Sequence, residues 1–196
     1  MIAHVFPNFC HPAARLALAM LLGFIVAGCA GPGAFNTTAD GADQRLMLKG
    51  HDPVAYVTIG KHTLGKADIK SEFQGVTYRF VSEESRAMFL KDPAKYAPQF
   101  GGFCSNGIAY GIPWGGDPDT WAIIDGKLYI FGGQSSKNYF LMDEKKNMAL
   151  ANEYWEKEIK DSNPVIQRYK RLILHVPHYK TGKELADEWD KRQSPK

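Results

Sequence analysis

The chain predicts an α+β fold: a small antiparallel β-hairpin sheet packed with helices, followed by a C-terminal helical extension. Three observations predict it. Ile69, Ser71 and Phe73 alternate with Lys70 and Glu72, Gln74-Gly75 supplies a turn, and Val76, Tyr78 and Phe80 alternate with Thr77 and Arg79. Period-two alternation about a glycine-containing turn marks two half-buried antiparallel strands. Trp121-Ala122-Ile123-Ile124 then runs into Asp125-Gly126, the signature of a type I′ turn, and Lys127 to Phe131 returns. Finally, Met148, Ala151, Trp155 and Ile159 recur at helical spacing beyond the second hairpin.

The remaining elements follow in order. Leu16 to Ala27 is an apolar run preceded by one cation, Arg15, and followed by Gly28-Cys29. That pattern is a secretory signal, and the Cys after small residues resembles a bacterial lipoprotein signal. Residues 1–28 are then the signal peptide, and Cys29 is lipidated as the first mature residue. Ala30 rather than Asp behind it favours the outer membrane. Residues 29–45, rich in Gly, Ala, Thr and Asp, read as a flexible tether. The domain is expected over 46–160 and the helical extension over 161–196.

Asp52 before Pro53 is a turn or cap signal. An extended path beyond it would point Val54 and Tyr56 the same way. Ser82 caps a helix with Glu83 and Glu84 in its first turn and an inner face of Met88 and Phe89. Asp92-Pro93 starts a short helix that must stop before Pro98. Ser135 or Ser136 caps another, and Asp143 the long one. Val165, Ile166, Tyr169, Leu172 and Ile173 mark a further amphipathic helix, with Arg168, Lys170 and Arg171 expected on its outer side. Thr181 to Glu184 fits a capping box for the last helix.

Composition bounds the function. The chain of 196 residues is 44% hydrophobic, 12% aromatic and 23% charged, an ordinary globular balance. Removing residues 1–28 leaves 168 residues with a formal charge of +2, since Arg15 is the only charge removed. That surplus is too small for a nucleic-acid face. Of three cysteines, Cys10 leaves with the signal and Cys29 becomes a thioether, so Cys104 is left without an internal partner.

Taken in order, Gly50-x-Asp52-Pro53-Val54-Ala55-Tyr56, Tyr78, Phe80, Ser82, Arg86, Phe89, Asp92-Pro93, Tyr96-x-Pro98 and Gly101-Gly102-Phe103-Cys104 resemble the YHS domain family. The likeness continues through Asp117-Pro118-x-x-Trp121 and Asp125 to Tyr129, as in secreted and lipoprotein members, and covers about Leu46 to Ile159. The resemblance implies a hairpin with a helix packed on it and a role in metal binding. Its opening motif ends in Cys, where this chain has Ala55. One of the family's thiol ligands is therefore missing.

Copper or zinc would need thiolate and imidazole together, so the candidate ligands are Cys104 and His51. His175-x-x-His178 has ligand-like spacing at a helix end. Nucleophilic catalysis would need a base held against Cys104, and no motif supplies one. The expected activity is a non-catalytic binding or interaction module held at the membrane. Its candidate pocket residues are Asp52, Tyr56, Tyr96, Phe100 and Trp114, its partner an unknown protein or small ligand, and no cofactor is required. The alternatives are a copper- or zinc-binding protein using Cys104, and a thiol-dependent enzyme or redox protein.

Overall fold

A computed structural model describes residues 33–194. The expected signal peptide, residues 1–28, and the expected lipidation site, Cys29, lie outside the described residues. Strands β1 (Thr37–Asp40), β2 (Asp43–Met47), β3 (Lys66–Phe73) and β4 (Val76–Phe80) form one sheet in the order β1-β2-β4-β3. Strands β5 (Asp117–Ile124) and β6 (Lys127–Phe131) form a second. Both expected hairpins are present. Their turns, Gln74-Gly75 and Asp125-Gly126, have positive φ at both positions, as a type I′ turn requires.

The expected tether is corrected from residue 33 onward. Ala34 is buried, its N–H donates to Lys160 O at 2.9 Å, and Asn36 N–H donates to Gly101 O at 2.8 Å. Strand β1 pairs antiparallel with β2, and β2 pairs parallel with β4 through Leu46 and Thr77. The first sheet is therefore mixed, not purely antiparallel. Side-chain charge locks it. Arg79 on β4 donates to Asp43 on β2 at 2.7 and 2.9 Å and to Asp40, while Lys70 on β3 donates to Asp43 at 2.6 Å. These bonds hold the Asp43 carboxyl below the usual carboxylate range, Lys70 contributing most and Arg79 next.

Helices pack on these sheets in chain order: α1 (Pro53–Thr58), α2 (Glu83–Lys91), α3 (Pro93–Tyr96), α4 (Ser105–Ile108), α5 (Gln134–Leu141), α6 (Glu144–Tyr154), α7 (Pro164–Ile173) and α8 (Gly182–Gln193). The segment after Asp52 is thus helical rather than extended. Pro53 at its first position and the Asp52 cap select the helix. Ser82, Asp92 and Thr181 cap as expected. Gly133 stands at the start of α5 in place of a serine, and Asp143 precedes α6 without a side-chain cap. On α2, Phe89 is buried but Met88 is exposed.

Two apolar clusters fill the body. One joins Tyr78, Phe80, Phe89 and Tyr96 to Leu128 and Ile130. The other joins Phe100, Phe103, Ile108, Phe131 and Phe140 to Ala151 and Ile159. Fully burying each such side chain contributes roughly 1.5–3 kcal/mol, so β6, which feeds both clusters, ties the two sheets together. The C-terminal region belongs to the same body: Val176 and Leu185 are buried, and Arg192 donates to Met142 O at 2.7 Å.

Candidate functional site

The stretch from Pro98 to Cys104 carries three consecutive positive-φ residues beside a cavity. Phe100, Gly101 and Gly102 have φ of 52°, 58° and 77°. For a bulky L-residue such as Phe100 the left-handed region costs about 1–2 kcal/mol. Its surroundings impose it. The Phe100 ring is buried against Tyr129 and Trp155, at 5.7 and 5.9 Å between centroids. Residues 34–36 cross over the turn, with Asn36 Nδ2 donating to Gly102 O and Gly116 O. A Cβ on Gly101 would stand 2.2 Å from Ala34 O, so only glycine allows this crossing.

Beside the turn opens a cleft of about 740 Å³. Phe35, Phe73, Tyr78, Phe100 and Trp155 line it, together with three lysines, Lys95, Lys127 and Lys160, and one carboxylate, Asp161. Lys160 is ion-paired with Glu156 and Lys95 lies over the Tyr96 ring at 5.2 Å. The volume and aromatic lining fit a small-molecule site with a few polar groups to orient the ligand.

Cys104 follows the same turn, one residue beyond Phe103. It is buried, its N–H donates to Trp114 O at 2.9 Å, and its Sγ packs against Gly132. It borders a groove of about 370 Å³ that also meets Tyr110, Trp114, Tyr139 and Tyr179. His51 is elsewhere. Its Nδ1 is 2.8 Å from Leu48 O, and its Nε2 is 3.7 Å from an Asp119 oxygen that His62 Nε2 approaches at 3.9 Å. The structure therefore pairs His51 with His62 and Asp119 and not with Cys104. Among the described residues no group of three or more His, Cys, Asp and Glu is arranged to hold a metal ion. His175 and His178 are stacked on Tyr179 and Tyr110, and His178 Nε2 meets Ala109 O at 2.9 Å.

The five candidate pocket residues divide. Asp52 is fully buried and its carboxylate accepts from Val54 N–H at 2.8 Å, Val81 N–H at 2.9 Å and the Ser85 hydroxyl. Tyr56 is a core residue whose hydroxyl donates to Pro118 O at 3.0 Å, and burial pushes its phenol well above the usual range. Tyr96 is also core. These three are structural. Phe100 lines the aromatic cleft, and half-exposed Trp114 lines the Cys104 groove under the Arg168 guanidinium. Phe35 and the lysines of the cleft carried no sequence signal, because the four residues come from four separated segments.

Comparison with family models, curated proteins and solved structures returns no match. The YHS likeness rests on residue order alone.

Proposed function

We propose that the chain is an extracytoplasmic bacterial lipoprotein, anchored through Cys29 in the outer membrane and facing the periplasm, whose body is a non-catalytic binding module. The observation that carries the binding reading is the 740 Å³ cleft, with five aromatic walls and three lysines against one carboxylate, Asp161, in its lining. Such a site suits a small ligand with a flat apolar body and an anionic group: the rings cover the body, and the ammonium groups meet the charge. The strained Phe100 backbone is an investment of conformational energy at the cleft wall, where binding sites concentrate strain.

The competing chemistries have less support. Copper or zinc at Cys104 would need His51, whose neighbours are Leu48, His62 and Asp119. A thiol nucleophile would need a base, and Asp52 and Tyr56 are committed to Ser85 and Pro118. The test is calorimetry on the mature protein with 2-naphthoate and with 2-naphthylmethylamine as probes. The carboxylate should bind more tightly than the amine. Ala94→Trp, which fills the cleft from its exposed edge, should abolish the binding. Equal affinity for both probes, or binding unaffected by Ala94→Trp, would exclude this cleft as the site.

A further inference from the structure

Helix α7 is built inside out. Val165, Ile166, Tyr169, Leu172 and Ile173 share one arc of roughly 120° at 3.6 residues per turn, and that arc faces solvent. Ile166, Tyr169 and Ile173 are 69%, 64% and 77% exposed. Two of the three cations expected outside, Arg168 and Arg171, are turned inward, while Lys170 stays exposed. Arg168 donates to Pro113 O at 2.8 Å and lies over Trp114. Arg171 pairs with Glu158 and lies over Tyr154. Gln167, buried between them, donates to Gly111 O and Glu158. Burial opposes the Glu158 charge, but the bonds from Gln167, Arg171 and Lys170 outweigh it and hold the carboxyl low. Rolling the helix to hide its apolar arc would strand that carboxylate, so the exposed orientation is fixed.

Two facts say what covers the arc. The first is where the chain enters the body. Ala34 N–H is bonded to Lys160 O, four residues ahead of Pro164 at the start of α7. Cys29 is four residues ahead of Gly33, a reach of at most about 14 Å whatever path the chain takes. An acyl group on Cys29 is therefore held close to the N-terminal end of α7. The second is chemistry. The neighbouring lysines Lys157, Lys160 and Lys170 are each paired, with Glu153, Glu156 and Glu158. What remains is aliphatic, with one ring, Tyr169, of the amphipathic kind that favours a membrane interface.

We infer that α7 lies in the boundary between lipid headgroups and acyl chains, as a second membrane contact beside Cys29. This rests on the lipoprotein reading above. A ten-residue helix binds a bilayer poorly alone, but a lipid anchor four residues from the body makes its insertion an intramolecular step.

The experiment uses the mature protein, purified from membranes and reconstituted in phosphatidylcholine vesicles with and without phosphatidylglycerol. A nitroxide is placed on Ile166→Cys, on Ile173→Cys and, as a control, on Ile59→Cys, which is 60% exposed on another face. Collision rates with oxygen and with a nickel chelate report depth. At 166 and 173 the oxygen-to-nickel ratio should exceed that at 59 on the order of tenfold, as for side chains about 5–10 Å into the boundary. It should change little with phosphatidylglycerol. Ratios equal to that of position 59 would overturn the inference, as would label-to-label broadening showing a second copy on the arc. The intact mass separates the two readings. An unmodified Cys29 overturns both, whereas a lipidated protein with nickel-accessible labels overturns this one alone.

Discussion

Replacing Asp52 with Ala should unfold the protein at markedly lower temperature, because three donors converge on one buried carboxylate. One oxygen caps α1 through Val54 N–H, and loss of such a cap costs about 1 kcal/mol. The other accepts from Val81 N–H, which follows β4, and from Ser85 on α2. A buried donor left unpaired costs about 1–3 kcal/mol. The amide of Val81 cannot turn away, whereas the Ser85 hydroxyl can rotate toward a helix carbonyl. Summing the cap and the Val81 amide puts the loss at about 2–4 kcal/mol. At about 2–4 °C per kcal/mol for a chain of this size, Tm should fall by roughly 10 °C. Circular dichroism melts of Asp52→Ala, Ser85→Ala and the double variant measure it. The two single losses should exceed the double by about 1 kcal/mol, since removing Asp52 already leaves Ser85 without its acceptor. A loss below about 1 kcal/mol for Asp52→Ala would refute the reasoning, because a buried knot cannot be removed so cheaply.

Other outcomes test the remaining contacts. Cys104 should resist a small alkylating reagent in the native protein and react once urea has unfolded it; fast native labelling, read by mass, would show that the thiol is reachable through the groove. Gly101→Ala should cost more than about 3 kcal/mol by the urea midpoint, as its methyl would collide with Ala34 O on top of the strain at positive φ. Gly126→Ala, with positive φ but open space, should cost only about 1–2 kcal/mol. The Asp43 carboxyl titrates lower in the folded than in the unfolded chain, so its contribution is complete above about pH 4–5 and is lost as pH falls through the folded value. The urea midpoint of Asp43→Asn should therefore fall less steeply with acid than that of the wild type; parallel curves would mean that the ion pairs with Lys70 and Arg79 contribute nothing.

Sequence made the hairpins, the caps and the last helix legible, because each is specified by neighbours: alternation about Gln74-Gly75, Asp125-Gly126, the Thr181 box. Strands β1 and β2 were hidden. Their composition is that of a linker, and their place in the sheet depends on Arg79 and Lys70, some thirty residues away, reaching Asp40 and Asp43. Buried ion pairs leave no apolar alternation to read. The candidate site was half legible for the same reason. Phe100 and its glycines stood out, but Phe35 reaches the cleft only because β1 is part of the body.

Helix α7 shows a different limit. Its sequence pattern states that it is amphipathic, and that is correct. The inference that the apolar side faces inward adds an assumption, that the nearest oily surface is the protein's own core. Here Ala151, Ile159 and Val176 are already buried, and the docking surface offered to α7 consists of Glu158, the carbonyls of Gly111 and Pro113, and the ring faces of Trp114 and Tyr154. Arginine fits that surface and leucine does not. A helix binds by whichever face matches what is opposite, so one turned this way leaves its hydrophobic free energy to be collected elsewhere. On the proposed lipoprotein reading, with an acyl chain on Cys29, the bilayer is the oily phase within reach. The anchor proposed at Cys29 would make a deep membrane span unnecessary and a shallow second contact effective.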